Sequence, residues 1–288
     1  MTLTWPIVLI VLVGALLHAS WNALIKSGSD KSLDTALIHA MGCVVALPIV
    51  LVVGLPVPAA WPWLAMSLTI HIGYYIALAG AYKHGDLGLT YPIMRGLAPL
   101  LVALASGRLI GETLPLATWF GVAGISGGVL LVGLSRSALA SGASHGHALR
   151  FALLNAAIIA VYTIVDGIGV RASGNALQYV AALFLVDGLP YFALVMWRRG
   201  SQRRPAAWAH MRRRWPLALL GTFASAGSYG IALWAMTRAP VAAVAALRET
   251  SVLFAALIGT HWLKESFGTR RAAGTALIVG GVVALRLL

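Results

Sequence analysis

The stretch YKHGDLGLTYPIMRGLAPLLVALASGRLIGE, residues 82–112, decides the fold because its pattern returns later in the chain at a constant spacing. Four residues recur at one offset, since 248 minus 95, 265 minus 112, 274 minus 121 and 281 minus 128 all equal 153. The pairs are Arg95 with Arg248, Glu112 with Glu265, Gly121 with Gly274, and Gly128 with Gly281. Solenoid repeats are much shorter, roughly 20–50 residues. The sequence therefore predicts one duplicated unit.

The composition is typical of a membrane protein. Hydrophobic residues make up 60 % of the chain, charged residues only 10 %, and the mean hydropathy is +0.87; soluble domains carry roughly a quarter charged residues. The net charge is +13, but seven basic residues fall in the segment 198–214 between apolar runs. We interpret that segment as a loop between spans and predict no nucleic-acid binding. The lone Cys43 excludes an intramolecular disulfide and a cysteine metal cluster.

Apolar runs of about 20 residues, enough to cross a bilayer core, predict ten transmembrane helices. The first run lacks a basic leader and a small-residue cleavage site, so we expect a retained helix. The spans fall at residues 5–26, 33–54, 61–82, 89–111, 116–134, 149–171, 176–197, 216–237, 241–263 and 270–288.

Five spans in each half predict inverted repeats, because an odd number places the start of the second half on the opposite side of the membrane. We assign residues 1–134 to the first repeat, 135–148 to a linker and 149–288 to the second. The predicted fold is all-α, with the two inverted repeats around a central cavity, which is an architecture of secondary transporters. Every second loop, starting with the one between spans one and two, lies on the same side of the membrane. These loops together carry 15 of the 21 Lys and Arg. This weakly favours both termini outside.

Ionisable residues inside the spans are candidates for function, since burying a charge in a bilayer costs at least about 2.5 kcal/mol. The alternative for each is a side chain that reaches the interface or is satisfied by a neighbouring helix. They are His18, His39, His71, Arg95, Asp166, Asp187, Arg248 and Glu249.

Helical spacing places several of these with aromatic or polar neighbours on common faces. In the third span the face contains His71, Tyr75, Leu78 and Tyr82, at i, i+4, i+7 and i+11. Such faces fit a cavity, although packing of aromatic side chains in the core is an alternative. The comparable faces elsewhere contain His18, Trp21 and Asn22 in the first span, Asn155, Tyr162 and Asp166 in the sixth, and Ser225, Ser228 and Tyr229 in the eighth.

The repeated arginines, Arg95 and Arg248, have two possible roles: pairing with a carboxylate where the halves meet, or binding a substrate carboxylate. Glu249 points about 100° away from its neighbour Arg248 and is a poor partner for it. Glu249 and Asp166 remain alternative proton carriers. We expect Glu112 and Glu265 to be interfacial or to cap the next helix, and Gly107 with Gly111, like Gly124 with Gly128, to be packing sites of the GxxxG type.

Enzyme motifs are missing from the sequence. It contains no HExxH and no Walker loop, and the GxSxG match at residues 124–128 lies inside an apolar span. We therefore predict no enzyme activity, no cofactor and no metal.

The chain resembles the drug/metabolite transporter superfamily in its ten-helix, EamA-type branch. The most specific likeness is Pro99, an apolar run to Glu112, then Gly121 and the glycine pair 127–128, with Glu265, Gly274 and the pair 280–281 repeating the pattern. Val252 stands where Pro99 would repeat. The resemblance implies that helices 1, 3, 4, 6, 8 and 9 line a central cavity while 5 and 10 pack at the periphery.

Within the superfamily the chain is most similar to exporters of aromatic and neutral amino acids. This implies a multi-pass protein of the bacterial cytoplasmic membrane whose partners are a small-molecule substrate and the lipid bilayer. A monomer is expected, with a dimer left open. The alternatives are a drug or nucleotide-sugar carrier on the same fold, an intramembrane enzyme, or a passive channel. The expected substrate-binding residues are His18, Trp21, Asn22, His71, Tyr75, Leu78, Tyr82, Met94, Arg95, Tyr162, Asp166, Ser225, Ser228, Tyr229 and Arg248.

Overall fold

The computed structural model describes residues 2–84, 87–134, 145–263 and 268–287, with side chains described except at 78–84, 87–88, 145 and 259–263. Within these ranges the chain forms α-helices, one 3-10 turn and no strand. The helices are α1 (Trp5–Lys26), α2 (Lys31–Val53), α3 (Trp61–His84), α4 (Leu87–Leu109), α5 (Leu116–Gly133), α6 (His145–Ser173), α7 (Ala176–Val186), α8 (Gly188–Met236), α9 (Val241–Arg248), α10 (Ser251–Leu263) and α11 (Thr269–Leu287).

The surface of these helices is that of a protein in lipid. Seven stretches of the described residues are long and apolar enough to cross a membrane. Large apolar side chains point outward along them; Leu51 and Val52 of α2, for example, are 77 % and 84 % exposed. If this surface faced water, each Å² of exposed apolar area would cost about 25 cal/mol of free energy. The predicted all-α integral membrane class is confirmed.

Helix covers all ten predicted spans, but two of the spans are interrupted. The seventh breaks at Asp187, between α7 and α8. Pro190, in the first turn of α8, has no N–H to donate to the Val186 carbonyl four residues earlier, which explains the break. The ninth predicted span breaks at residues 249–250, between α9 and α10. There the Thr250 hydroxyl donates to the Leu247 carbonyl at 2.7 Å, competing with the backbone ladder.

The basic segment 198–214 is helical, so its interpretation as a loop is wrong. The chain turns at Gly200, where φ is 65°, and the helix then runs on through Pro205 and Pro216. One face of this segment is buried, since Ala207 and Met211 pack with apolar side chains of α2. Apolar residues at helical spacing, hidden among the arginines, stabilise a helix that the charge count alone did not reveal.

Two aspartates near the start of α2 anchor this basic segment. Asp30 accepts from the Arg199 guanidinium at 2.6 Å, and buried Asp34 accepts from His210 Nε2 at 2.9 Å and from Arg214. Asp30 also caps α2 by accepting the Leu33 N–H at 3.0 Å. Partial burial alone would raise the pKa of Asp30, but the Leu33 N–H and Arg199 together hold that pKa below its ordinary value.

Helices α5 and α11 pack through a reciprocal glycine interface. A Cβ on Gly121 would lie 2.9 Å from the Gly281 carbonyl oxygen, and one on Gly281 would lie 2.8 Å from that of Gly121. Gly128 and Gly274 are related in the same way. The repeat offset of 153 converts the Gly121–Gly281 contact into the Gly274–Gly128 contact, as a two-fold relation between antiparallel helices requires.

The expectation that Gly107 and Gly111 form a second packing site is wrong. Gly111 follows the end of α4 with φ of 72°, and an added Cβ there would meet no atom within 4 Å. Its role is to terminate the helix in the left-handed region, where glycine has no steric cost.

The first helix of each half packs against the other half. Helix α1 packs on α8 and α10 of the second half, while α6 packs on α3 and α4 of the first. Helix α6 begins at His145, four residues before the predicted start of the second repeat at 149. The central space is therefore walled by helices from both halves.

Glu112 follows α4 and connects the halves at one end of the bundle. Its carboxylate accepts the Val241 N–H at 3.0 Å at the start of α9, where Pro240 at the N-cap offers no side-chain acceptor. Arg171 at the end of α6 donates to the same carboxylate at 2.7 Å. Glu112 therefore caps a helix, which was one of its two expected roles. The helix that it caps is not the next one but α9, in the other half of the chain. Glu265 lies outside the described residues.

Candidate functional site

A narrow cavity lies where α4 and α6 meet the break between α9 and α10. The free space that it encloses in this conformation holds about one water molecule. A cargo molecule therefore requires the lining side chains to move apart. The lining consists of Arg95, Ala98, Pro99, Val102, Ile159, Tyr162, Thr163, Ala245, Arg248 and Glu249.

Arg95 forms an ion pair across the two halves. Its Nε lies 2.9 Å from Oε2 of Glu249, which the helix break places opposite α4. A second nitrogen of the same guanidinium lies 3.3 Å from Nε2 of His18 on α1. Both members of the pair are buried, so each offsets a charge that would be costly alone. Of the two roles left open for Arg95, this contact favours the structural one.

Arg248 has a different environment from its repeat counterpart. Its guanidinium lies over the Tyr229 ring, 4.9 Å from the centroid, and it pairs with no carboxylate that the structure describes. The Tyr229 hydroxyl donates to fully buried Asp166, which also accepts from the Tyr179 hydroxyl at 2.9 Å. Arg248 therefore adds a cation to the cavity wall while Asp166 is held behind it by two tyrosines.

A second polar group surrounds Asp187 at the break between α7 and α8. The Tyr75 hydroxyl donates to Oδ2 at 3.4 Å, and the Nδ1 atoms of His39 and His71 each lie 4.0 Å from the carboxylate. Gly188 makes this arrangement possible, because a Cβ there would overlap the His39 carbonyl. No set of three or more His, Cys, Asp or Glu in the described ranges is placed to hold a metal.

Edge-on and tilted aromatic rings connect the polar group around Arg95 with the one around Asp187. On one side His18 packs edge-on against Trp21, with ring centroids 5.3 Å apart, and Trp21 against His39 at 5.9 Å. On the other side the His71 ring lies 4.6 Å from that of Tyr162, which lines the cavity. Rings therefore continue from Arg95 to Asp187 by two routes.

The structure brings together seven of the residues expected to bind substrate: His18, Trp21, His71, Tyr75, Arg95, Tyr162 and Arg248. Others have different surroundings. The Asn22 amide donates to the His18 carbonyl of its own helix at 2.7 Å. Met94 is buried, and its sulfur accepts from the Asn155 amide. Ser225 and Ser228 are buried on α8 and are not among the residues that line the described cavity. The side chains of Leu78 and Tyr82 lie outside the described residues.

His39, Asp187 and Tyr191 belong to the second polar group and were omitted from the expected substrate set. His39 and Asp187 were visible as ionisable residues inside spans, but the resemblance did not name helices 2 and 7 among those that line the cavity. Tyr191, whose ring stacks on Tyr75 at 4.6 Å, carried no signal of its own.

Comparison with known proteins adds a family for the second half. Residues 148–287 match the EamA-like transporter family. No curated protein matches the chain. Among the solved structures that match is a crystal structure with a TM-score of 0.75 and 20 % identity, covering 98 % of this chain and 95 % of that one. At this identity the likeness shows a shared fold and nothing further.

Proposed function

We propose that this chain, whose second half carries an EamA-like transporter family domain, is a secondary transporter of the drug/metabolite type. Its cargo is a small metabolite, first among these an aromatic or neutral amino acid, which it exports by alternating access. The setting we propose is a bacterial cytoplasmic membrane, with the chain acting as a monomer, both termini outside and no cofactor.

The observation that carries this proposal is the interrupted span at residues 249–250, which opens onto a cavity between the halves. Broken helices near the bilayer midplane are typical of transporter binding sites, because irregular backbone is tolerated there only beside a cavity. The family domain points the same way, toward a transporter rather than an enzyme.

Amino-acid cargo is favoured by the chemistry of the wall. Arg248 has no carboxylate partner among the described residues and could bind that of a substrate, while Tyr162 and neighbouring rings offer faces for an apolar side chain. A nucleotide-sugar carrier would need several cations for its phosphates. Arg95 is already paired with Glu249. Among the described residues of the lining, Arg248 is therefore the one cation left to bind a substrate.

Proton coupling is a separate part of the proposal, with Glu249 and Asp166 as alternative carriers. For Glu249 to take up a proton, the Arg95 guanidinium must first move from its side, which ties protonation to separation of the halves. A proton on either oxygen of Asp166 would compete with the tyrosine hydroxyl that donates to that oxygen. Efflux followed with and without a pH gradient in Glu249→Gln and Asp166→Asn decides between them.

The proposed function is tested with proteoliposomes loaded with labelled phenylalanine. The parent chain should show saturable efflux, and Arg248→Gln should lower it by about tenfold or more, since a hydrogen bond to a charged group contributes about 1.5–3 kcal/mol. The matched control is Arg203→Gln, an exposed arginine of the basic segment, which should leave efflux unchanged. Absence of saturable efflux by the parent refutes the cargo, and equal efflux by Arg248→Gln refutes the role of Arg248.

A further inference from the structure

We propose that Asp187 binds the ammonium group of the cargo, which makes the transported compounds amines. The inference rests on the proposed transport function and adds a residue and a substrate class to it.

The first observation is a largely shielded carboxylate, one oxygen of which has no hydrogen-bond partner among the described residues. Oδ1 of Asp187 is inaccessible to solvent and accepts no hydrogen bond from any described group. The contact of Oδ2 with the Tyr75 hydroxyl, at 3.4 Å, is far longer than the 2.5–2.7 Å typical of a hydroxyl on a carboxylate. Removing a carboxylate from water is costly unless a cation or several donors replace the lost hydration. A bound cation would supply the partner that the carboxylate of Asp187 lacks where the structure describes its surroundings.

The groups that contact Asp187 come from two packed helices. They are His39 of α2 and His71 and Tyr75 of α3, and the ring of Tyr191 on α8 stacks on Tyr75. Neither Lys nor Arg lies within 4.0 Å of the carboxylate in the described part of the chain. A carboxylate set among aromatic rings is the arrangement that recognises organic ammonium ions, because ring faces attract cations.

Aromatic rings link Asp187 to the described cavity. His71 lies beside Asp187, and its ring lies 4.6 Å from that of Tyr162, which lines the cavity. A cargo with its ammonium at Asp187 would place an apolar side chain against those rings.

The test uses three probes against the purified full chain: phenylalanine, 3-phenylpropionate, which lacks the ammonium, and 2-phenylethylamine, which lacks the carboxylate. In the parent, 3-phenylpropionate should bind about tenfold or more weakly than phenylalanine. Asp187→Asn should weaken phenylalanine and 2-phenylethylamine by a similar factor while leaving 3-phenylpropionate unchanged. Glu249→Gln is the matched comparison, since it removes another buried carboxylate of the site and should preserve the preference for the amine.

The outcomes separate this inference from the proposed function. Equal binding of phenylalanine and 3-phenylpropionate by the parent overturns the inference, and this measurement does not depend on whether a variant folds. An equal loss for all three probes in Asp187→Asn also overturns it, since the residue would then act on the fold or on a proton held with His39 or His71. Asp187-dependent binding of 2-phenylethylamine without saturable amino-acid efflux would support the ammonium site and refute only the cargo. Saturable phenylalanine efflux without a preference for the amine would support the amino-acid cargo and refute the ammonium site.

Discussion

Nε of Arg95 lies 2.9 Å from Oε2 of Glu249, so the cation of one half of the chain is neutralised by a carboxylate of the other. The repeat alone pairs Arg95 with Arg248, not with Glu249. The break after α9 brings Glu249 opposite α4 and leaves Arg248 over Tyr229. Two arginines at equivalent sequence positions thereby have different tasks.

We predict that Arg95→Gln and Glu249→Gln each destabilise the fold, by about 3–5 kcal/mol, because each leaves a buried charge without its partner. The double variant Arg95→Gln, Glu249→Gln should recover much of the loss. Thermal unfolding of the detergent-solubilised protein measures all three. Losses that simply add in the double variant would show that the side chains do not interact.

The glycine interface of α5 and α11 gives a sharper contrast. Gly128→Ala should destabilise by about 1–3 kcal/mol, since the new Cβ would lie 2.6 Å from the Gly274 carbonyl oxygen. Its neighbour is the control: a Cβ on Gly127 meets no atom within 4 Å. Gly127→Ala should therefore be neutral or stabilising by about 0.5–1 kcal/mol. Equal unfolding temperatures for the two variants would contradict the packing.

Capping of α9 by Glu112 predicts a loss of about 1–3 kcal/mol in Glu112→Ala, because the Val241 N–H and Arg171 both lose their acceptor. Glu112→Gln retains an acceptor oxygen and should lose less. Arg238→Gln, an exposed residue close to α9, is the control. Chemical denaturation in detergent ranks the variants, and a Glu112→Ala protein as stable as the parent would exclude the cap.

Asp30 predicts a dependence of stability on pH. Its pKa is lowered in the folded protein, so its charged form stabilises the fold fully above the unfolded pKa of about 3.9. This contribution is lost as the pH falls through the lower folded pKa. The difference in unfolding temperature between the parent and Asp30→Asn should therefore be largest near neutrality and shrink below about pH 4. Arg203→Gln, exposed on the same segment as Arg199, should show no such trend, and a constant difference across pH would refute the role of Asp30.

The membrane-spanning class followed from the sequence because it depends on local composition. Runs of apolar residues long enough for a bilayer need no knowledge of their partners. The glycines at 121, 128, 274 and 281 were likewise visible as repeated positions, and the structure shows that they form one reciprocal interface. Helical spacing also grouped His71 with Tyr75 correctly, since neighbours on one face remain neighbours after folding.

Contacts between distant elements were decided only by the tertiary structure. Charge counting represented residues 198–214 as a loop, because Asp30 and Asp34, which anchor that helix, lie more than 160 positions earlier in the chain. Helical periodicity showed that Glu249 and Arg248 diverge, but not that the chain breaks beside them. It also could not reveal that Asp187, in a span that was not expected to line the cavity, faces His39 and His71. The physical reason is that a sequence pattern specifies which face of a helix is buried, whereas the partner of a buried charge depends on how all the helices pack.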